Sequence, residues 1–409
     1  MSGILRGKRI ILGVSGGIAA YKAIELARDL TLAGALVDVM LTHAALEFVR
    51  PLPFETLTRR PVYTDVFIPW TEEQHGHITM ADEADLMLVA PATANTIARL
   101  AAGLADDMLT VSALATTAPL VIAPAMDHKM YLHPATQANL ETLQRRGARI
   151  IGPDRGPLAS GAVGFGRLVP VERMLDALRA TLARNGPLHG RAAVVSAGPT
   201  REPIDPIRYL TNRSSGKMGY AIAQALLDAG AAVTLVSGPT ALRPPSEATF
   251  VPVESAGQMA DVVMAAVAGA DVLVMAAAVA DYTPAQVADQ KIKKGESELT
   301  LRLGRTLDIL ATVEQPGLIK VGFAAETTAL LDSAQEKLRR KHLDLIVAND
   351  AVGTMGSDES RAFFLMPGSE PLELPPLGKD ELAERLVEQI TDLLESKADH
   401  AASSIAPTA

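Results

Sequence analysis

Short apolar runs alternate along the chain with longer segments in which apolar residues recur at helical spacing. Arg9–Val14 reads as a strand, Ile18–Leu32 as a helix and Leu36–Leu41 as a second strand, with Asp85–Ala90 and Leu120–Ala123 as further strands. The rhythm returns after Arg191, where strands Ala192–Val195, Ala232–Val236 and Asp271–Ala276 accompany a helix over Ala221–Ala229. This alternation predicts α/β architecture twice over: two domains, each a mainly parallel sheet flanked by helices. Gly and Pro cluster in Arg184–Gly190, which puts the boundary between domains of residues 1–189 and 190–397. Residues 398–409 are small and polar, and a disordered tail is expected there.

Three strand candidates look alike: Ala84–Pro91, Ala270–Ala276 and Leu343–Asn349 each begin with an acid and end in small residues. Open α/β sheets bind ligands at the carboxyl ends of their strands. The loops after Ala90, Ala276 and Ala348 are therefore candidate sites. Another strand ends in Ser196-Ala197-Gly198-Pro199, and a polar loop leads to Asn212-Arg213-Ser214-Ser215-Gly216-Lys217-Met218-Gly219 at the mouth of a helix over Tyr220–Leu227. Free N–H groups at such a helix start attract phosphate, and the nearby cations favour anion binding over a plain solvated loop.

With 409 residues, 48% of them hydrophobic, two or three domains with real cores are affordable in length. A net charge of −9 and only 4% aromatic residues argue against nucleic-acid binding. The apolar stretch Val262–Ala280 is broken by Gly269 and Asp271 and reads as helix, turn and buried strand, so no membrane span is expected. The absence of cysteine removes disulfides and thiol chemistry and fits a cytoplasmic protein.

In the first half, Gly13–Lys22 is a glycine turn between strand and helix but not G-x-G-x-x-G. The second strand ends in Leu41-Thr42-His43, without the acid that binds a dinucleotide ribose. A mononucleotide phosphate such as a flavin's fits better than NAD, and a tight turn that binds nothing is the alternative. Ala90–Thr96 offers hydroxyls and an amide at a second strand end, as a binding loop, an N-capped helix start, or both. His75 and His77 flank Gly76 as candidate bases, and Pro124–Met130 brings Asp127 to the ligand edge.

Gly13–Lys22, His77-Ile78, Ala90–Asn95, Pro124–Met130 and Gly161–Leu168 together resemble the homo-oligomeric flavin-containing cysteine decarboxylases. Ala197–Gly219, Ala277–Lys294, Gly322–Glu326 and Leu343–Asp350 resemble phosphopantothenate–cysteine ligase. In this order the chain resembles the bifunctional proteins of coenzyme A biosynthesis. The resemblance implies a flavodoxin-like decarboxylase domain followed by a Rossmann-like ligase domain. FMN would lie against Ser15, Gly16, Gly17, Ile18, Thr42, Pro91, Thr93 and Asn95, with His77 as the base. The family's P-x-M-N motif stands here as Pro124-Ala125-Met126-Asp127, and Ser160 occupies the place of the flap cysteine. Asp127 cannot donate while ionised, and a serine is a far weaker acid than a thiol. An active ligase fused to a non-catalytic flavin-binding domain therefore stands beside the bifunctional enzyme, and a two-domain NAD-dependent reductase is a third reading.

For the second half the resemblance implies an acyl-cytidylate made from phosphopantothenate and CTP with Mg2+, which cysteine then attacks; ATP instead of CTP stays open. Lys291 would act in forming the intermediate and Asn212 in holding it, so both join His77, Asp127 and Ser160 as catalytic candidates. Ala277, Asp281, Lys291, Leu307, Asp308, Ile309, Leu310, Phe323, Lys337 and Lys341 would contact the nucleotide. Lys337 and Lys341 are four apart and share a helix face. For Lys291-Ile292-Lys293-Lys294 alone, solvated charge is the alternative. The resemblance further implies a homo-oligomer, with trimeric flavin domains and dimeric ligase domains, up to a dodecamer.

Overall fold

A computed structural model describes residues 3–67, 76–294, 299–326, 330–350, 359–360 and 362–405. The chain divides into two compact units, Met1–Leu182 and Ala183–Ala409. The division falls before the Gly/Pro segment instead of at its end. Leu188 is buried in the second unit's core, and its N–H donates to the Ala229 carbonyl at 2.8 Å, so residues 183–190 open the second unit.

The first unit is built on a sheet of β1 (Arg9–Val14), β2 (Leu36–Leu41), β3 (Val62–Tyr63), β4 (Leu86–Ala92), β5 (Leu120–Pro124) and β6 (Arg149–Ile150). Its order is β3-β2-β1-β4-β5-β6, and every neighbouring pair is parallel. The helices are α1 (Lys22–Leu32), α2 (Pro51–Thr58), α3 (His77–Glu83), α4 (Ala94–Ala102), α5 (Met108–Ala115), α6 (His128–Tyr131), α7 (Pro134–Arg145) and α8 (Val171–Leu182). Side chains alternate across β1. Ile10, Leu12 and Val14 pack with Leu26 and Leu30 of α1 and Leu178 of α8, while Ile11 packs with Ile97, Leu109 and Leu140 on the other face. Burial on both faces is why the strands read as unbroken apolar runs. An antiparallel hairpin, β7 (Asp154–Pro157) and β8 (Val163–Arg167), stands outside the sheet.

The second unit holds β9 (Ala192–Ala197), β10 (Arg201–Pro203), β11 (Tyr209–Thr211), β12 (Ala232–Ser237), β13 (Thr249–Pro252), β14 (Val272–Met275), β15 (Tyr282–Pro284), β16 (Leu303–Arg305), β17 (Ile319–Glu326) and β18 (Leu345–Asp350). The main sheet runs β13-β12-β9-β14-β17-β18, all parallel, and continues into two antiparallel strands, Ala362–Leu365 and Leu372–Glu373. Its helices are α9 (Lys217–Asp228), α10 (Ala256–Ala266), α11 (Ile309–Thr312), α12 (Leu330–Arg340) and α13 (Lys379–Ile405). The last helix runs into the stretch expected to be disordered, because the alanines after Lys397 prolong a helix anchored by Leu382, Leu386, Ile390 and Leu394. Counted within each unit, the six parallel strands follow the order 3-2-1-4-5-6 of the Rossmann arrangement. The first unit differs in this from the flavodoxin order, and both have a switch point beside their first strand.

The recurrent acid has a structural reason. Asp85, Asp271 and Asp344 precede β4, β14 and β18 and accept the N–H of Arg9, Ala192 and Lys320 at 2.8, 2.8 and 2.7 Å. Each carboxylate satisfies a backbone donor in the first two residues of the neighbouring strand, at the edge opposite the candidate sites. These acids therefore lie outside the strands that the sequence began with them.

Candidate functional site

The first crevice opens where β1 and β4 part. Ser15 closes its floor: its hydroxyl donates to the Pro91 carbonyl at 2.7 Å and accepts from the Thr93 N–H at 2.9 Å. Thr42 caps the turn after β2 by accepting from Ala45 N at 3.2 Å, and Thr93 caps α4 by accepting from Thr96 N at 3.3 Å. The hydroxyls of Ser15, Thr42 and Thr93 thus shape the loops, and Pro91 is a buried wall. Gly16, Gly17, the 65% exposed Ile18 and the exposed Asn95 are left at the mouth. A Cβ on Gly16 would stand 2.5 Å from the Ala44 backbone, and one on Gly17 would reach towards Thr93 Cγ2 at 3.6 Å. Gly16 therefore lets the loops after β1 and β2 approach closely, and the loop N–H groups at this strand end suit the phosphate of a mononucleotide.

His77 is the first residue of α3, after Gly76 at the N-cap, and its Nδ1 is buried. Met80 and Ala81 pin the helix beneath it, and His75 lies outside the described residues. Asp127 caps α6 by accepting from Lys129 N at 3.0 Å. The Ser160 hydroxyl donates to its other oxygen at 2.6 Å. The two departures from the family's motifs are therefore direct partners. The Ser160 hydrogen bond leads the influences that hold the Asp127 carboxyl below its ordinary value, followed by the Lys129 N–H and outweighing a small effect of burial. Asp127 is therefore ionised at neutral pH, and the bond from Ser160 to its carboxylate is lost only in acid, as pH falls through that lowered pKa. The hairpin carrying Ser160 also docks through Phe165 N–H to His128 Nδ1 at 3.0 Å and Met126 N–H to the Gly166 carbonyl at 2.9 Å.

In the second unit one cavity of about 520 Å³ gathers Ala277, Asp281, Leu307, Asp308, Ile309, Leu310, Phe323, Lys337 and Lys341. Met275, Ala278, Val279, Tyr282, Arg305 and Thr306 also line it and were not expected from the sequence. Arg305 and Thr306 sit immediately before the expected Leu307–Leu310 segment, so extending that segment upstream would have found them. Lys337 donates to the Phe323 carbonyl at 2.6 Å, and Lys341 pairs with Asp308 at 2.7 Å. Burial pushes the Asp308 carboxyl up, but the hydrogen bond and charge of Lys341 outweigh it and hold it low. Asp308 thus acts in the cavity as the anion that balances Lys341. Among the described residues no group of three or more His, Asp or Glu side chains could hold a metal ion.

Asn212 stands beside this cavity. Its Nδ2 donates to the carbonyls of Ala278 and Val279 at 3.3 and 3.0 Å, two residues of the wall. Its donors are committed there, so the amide oxygen is what it can offer to a ligand. Gly216 opens α9 at φ +77, and a Cβ would strike Thr240 at 2.7 Å. Lys291 is exposed between β15 and β16 and is not part of the cavity lining, unlike the other expected nucleotide contacts.

Two family profiles match the chain: Flavoprotein over residues 2–183 and DNA/pantothenate metabolism flavoprotein C-terminal domain over residues 188–394. The Bacillus subtilis coenzyme A biosynthesis bifunctional protein CoaBC is 45% identical over 95% of this chain and 98% of its own length. The protein of the same name from Mycobacterium tuberculosis is 46% identical over 95% and 97%. Among solved structures, the C-terminal domain of a coenzyme A biosynthesis bifunctional protein CoaBC is 42% identical, covers 52% of this chain and all of its own, and has a TM-score of 0.46.

Proposed function

This chain belongs to the family of coenzyme A biosynthesis bifunctional proteins, and from that premise we propose how its two units divide the work. The second unit joins phosphopantothenate to cysteine, and the first decarboxylates the phosphopantothenoylcysteine to phosphopantetheine. The observation that carries this reading is the family match over both units, together with the gathering of nine expected nucleotide contacts around one cavity.

In the second unit a carboxylate oxygen leaves poorly, so a nucleotide must activate it. The reading is CTP: phosphopantothenate attacks the α-phosphate, pyrophosphate leaves, and cysteine's amine displaces CMP from the acyl-cytidylate. Lys337, Lys341 and Arg305 bring positive charge to the cavity, and Lys291 supplies more as pyrophosphate departs. Mg2+ would accompany the triphosphate and counter its charge. The Asn212 oxygen would accept from cysteine's attacking amine.

In the first unit FMN would be held by the loops after β1, β2 and β4, through Ser15, Gly16, Gly17, Ile18, Thr42, Pro91, Thr93 and Asn95. When bound, FMN supplies reversible oxidation of the cysteine moiety and so an electron sink for the departing carboxylate. His77 takes and holds a proton at the mouth of α3. The Ser160–Asp127 pair fastens the hairpin to α6 and turns Asp127 towards the hairpin. A homo-oligomer of trimeric flavin units and dimeric ligase units, in the cytoplasm, completes the proposal; Ile18, Tyr21, Phe48 and Leu52 are large apolar residues exposed in the first unit.

Phosphopantothenate, cysteine and CTP given to the full chain are expected to yield phosphopantetheine, carbon dioxide, CMP and pyrophosphate, read by product mass. Equal rates with ATP would remove CTP from the reading. The folded protein is expected to be yellow and to release FMN on denaturation; a colourless preparation that takes up no flavin would end the account of the first unit. Ser160→Cys alone places a thiol beside an ionised carboxylate, which raises the thiol's pKa. Faster carbon dioxide release is therefore expected from the Asp127→Asn, Ser160→Cys double variant than from Ser160→Cys alone. The reverse order would show that the two positions act separately.

A further inference from the structure

The loop carrying Lys291 is gripped by a buried carboxylate from a different loop. Asp205 is 3% exposed and lies between β10 and β11. Its Oδ1 accepts the N–H groups of Ile207 and Arg208, both at 2.8 Å, which closes a local turn. Its Oδ2 reaches across 87 residues of sequence to accept the N–H of Ile292 at 3.1 Å. Arg208 bonds Asp205 Oδ2 at 3.3 Å and donates to the Ile292 carbonyl at 3.2 Å. Ala288 N–H adds a bond to the Ile204 carbonyl at 3.0 Å. Both backbone polar groups of Ile292 are thus held by side chains of a single turn. The turn itself needs only the first two bonds. A surface loop could leave Ile292 to water, whereas burying a carboxylate costs free energy unless its donors are in place.

We propose that Asp205 is a positioning residue for Lys291. It fixes the backbone one residue beyond the lysine, with Arg208 as its companion, and so sets where the ammonium stands. This rests on the reading of Lys291 given above. A lysine on an exposed loop has a long, freely rotating stem, and anchoring its backbone removes much of that freedom before substrate arrives. Asp205 is ionised for this purpose: burial pushes its carboxyl up, but three backbone N–H groups and Arg208 hold it below its ordinary value. Asn212 is tied to Ala278 and Val279 and has no bond to Asp205. The grip reaches Lys291 through a single residue of backbone, whereas Asn212 has anchors of its own, so the first half-reaction depends on it more than the second.

The test follows the two half-reactions separately in single turnovers of the full chain. One supplies phosphopantothenate and labelled CTP; the other supplies ready-made acyl-cytidylate and cysteine. Asp205→Asn puts an amide where two or more donors converge, and Ile292 loses its acceptor. Pyrophosphate release is expected to slow by about ten- to a hundredfold, while attack by cysteine stays within about twofold of the parent. Lys291→Gln in the same assay tests the premise; if it releases pyrophosphate normally, the reading of Lys291 falls and the inference with it. If Lys291→Gln is blocked and Asp205→Asn is not, the inference alone is overturned. Equal loss of both half-reactions would make Asp205 a general scaffold and overturn it too. Should Asp205→Asn not fold, amide exchange on the unaltered chain decides, because fast exchange at Ile292 would show that no grip exists.

Discussion

Lys291→Gln is expected to stop pyrophosphate release, and Asn212→Asp to permit it and then stall. A lysine near the α-phosphate counters charge that grows as pyrophosphate departs, and glutamine cannot. Losing one preorganised group of this kind costs about 2.7–4 kcal/mol, or roughly a hundred- to a thousandfold in rate. Asn212→Asp acts differently. It replaces an amide nitrogen 3.3 and 3.0 Å from the carbonyls of Ala278 and Val279 with a carboxylate oxygen. Two donor contacts become repulsions, and the negative charge also faces the intermediate's phosphate. The cations of α12 and of the Lys291 loop are untouched, so activation proceeds and attack by cysteine does not. Labelled CTP separates the cases: no pyrophosphate from the first variant, pyrophosphate without ligated product from the second. Normal ligation by both would remove these residues from the mechanism.

His77→Asn is expected to lower decarboxylation by about a hundred- to ten-thousandfold, the usual weight of a positioned acid or base. Asparagine keeps polarity and much of the shape but has no titrating nitrogen. Ligation should be unchanged, because His77 lies in the unit Met1–Leu182 and the cavity proposed for the nucleotide in Ala183–Ala409. His75→Asn is the control, and an equal loss from it would move the base by two residues. Carbon dioxide release from supplied phosphopantothenoylcysteine reads the first unit without the second.

The central strands were legible because burial on both faces writes an uninterrupted apolar run. The expected bounds of β1 and β2 are those found, Arg9–Val14 and Leu36–Leu41. Strands β3 and β6 have two residues each, too few to carry a period. Helix α9 begins at Lys217, earlier than the apolar stretch shows, because Gly216 in a left-handed conformation starts it and not a hydrophobic residue. The cavity was legible where whole motifs line it and missed at Arg305 and Thr306, just upstream of one. The Asp205 grip and the Ser160–Asp127 pair could not be read in advance, since each joins residues far apart in sequence. Read singly, their side chains are an acid in a polar loop and two departures from a motif.

A chain without cysteine has a further consequence when its substrates carry thiols. A thiol in the hairpin could exchange with disulfides of cysteine or climb the oxidation ladder through sulfenic acid. The Ser160 hydroxyl, tied to Asp127 at 2.6 Å, does neither. Peroxide or a disulfide stress that silences a thiol-dependent flap would leave the Ser160 hydroxyl covalently unchanged. Any single cysteine introduced for labelling would be the chain's sole thiol, with no background to subtract.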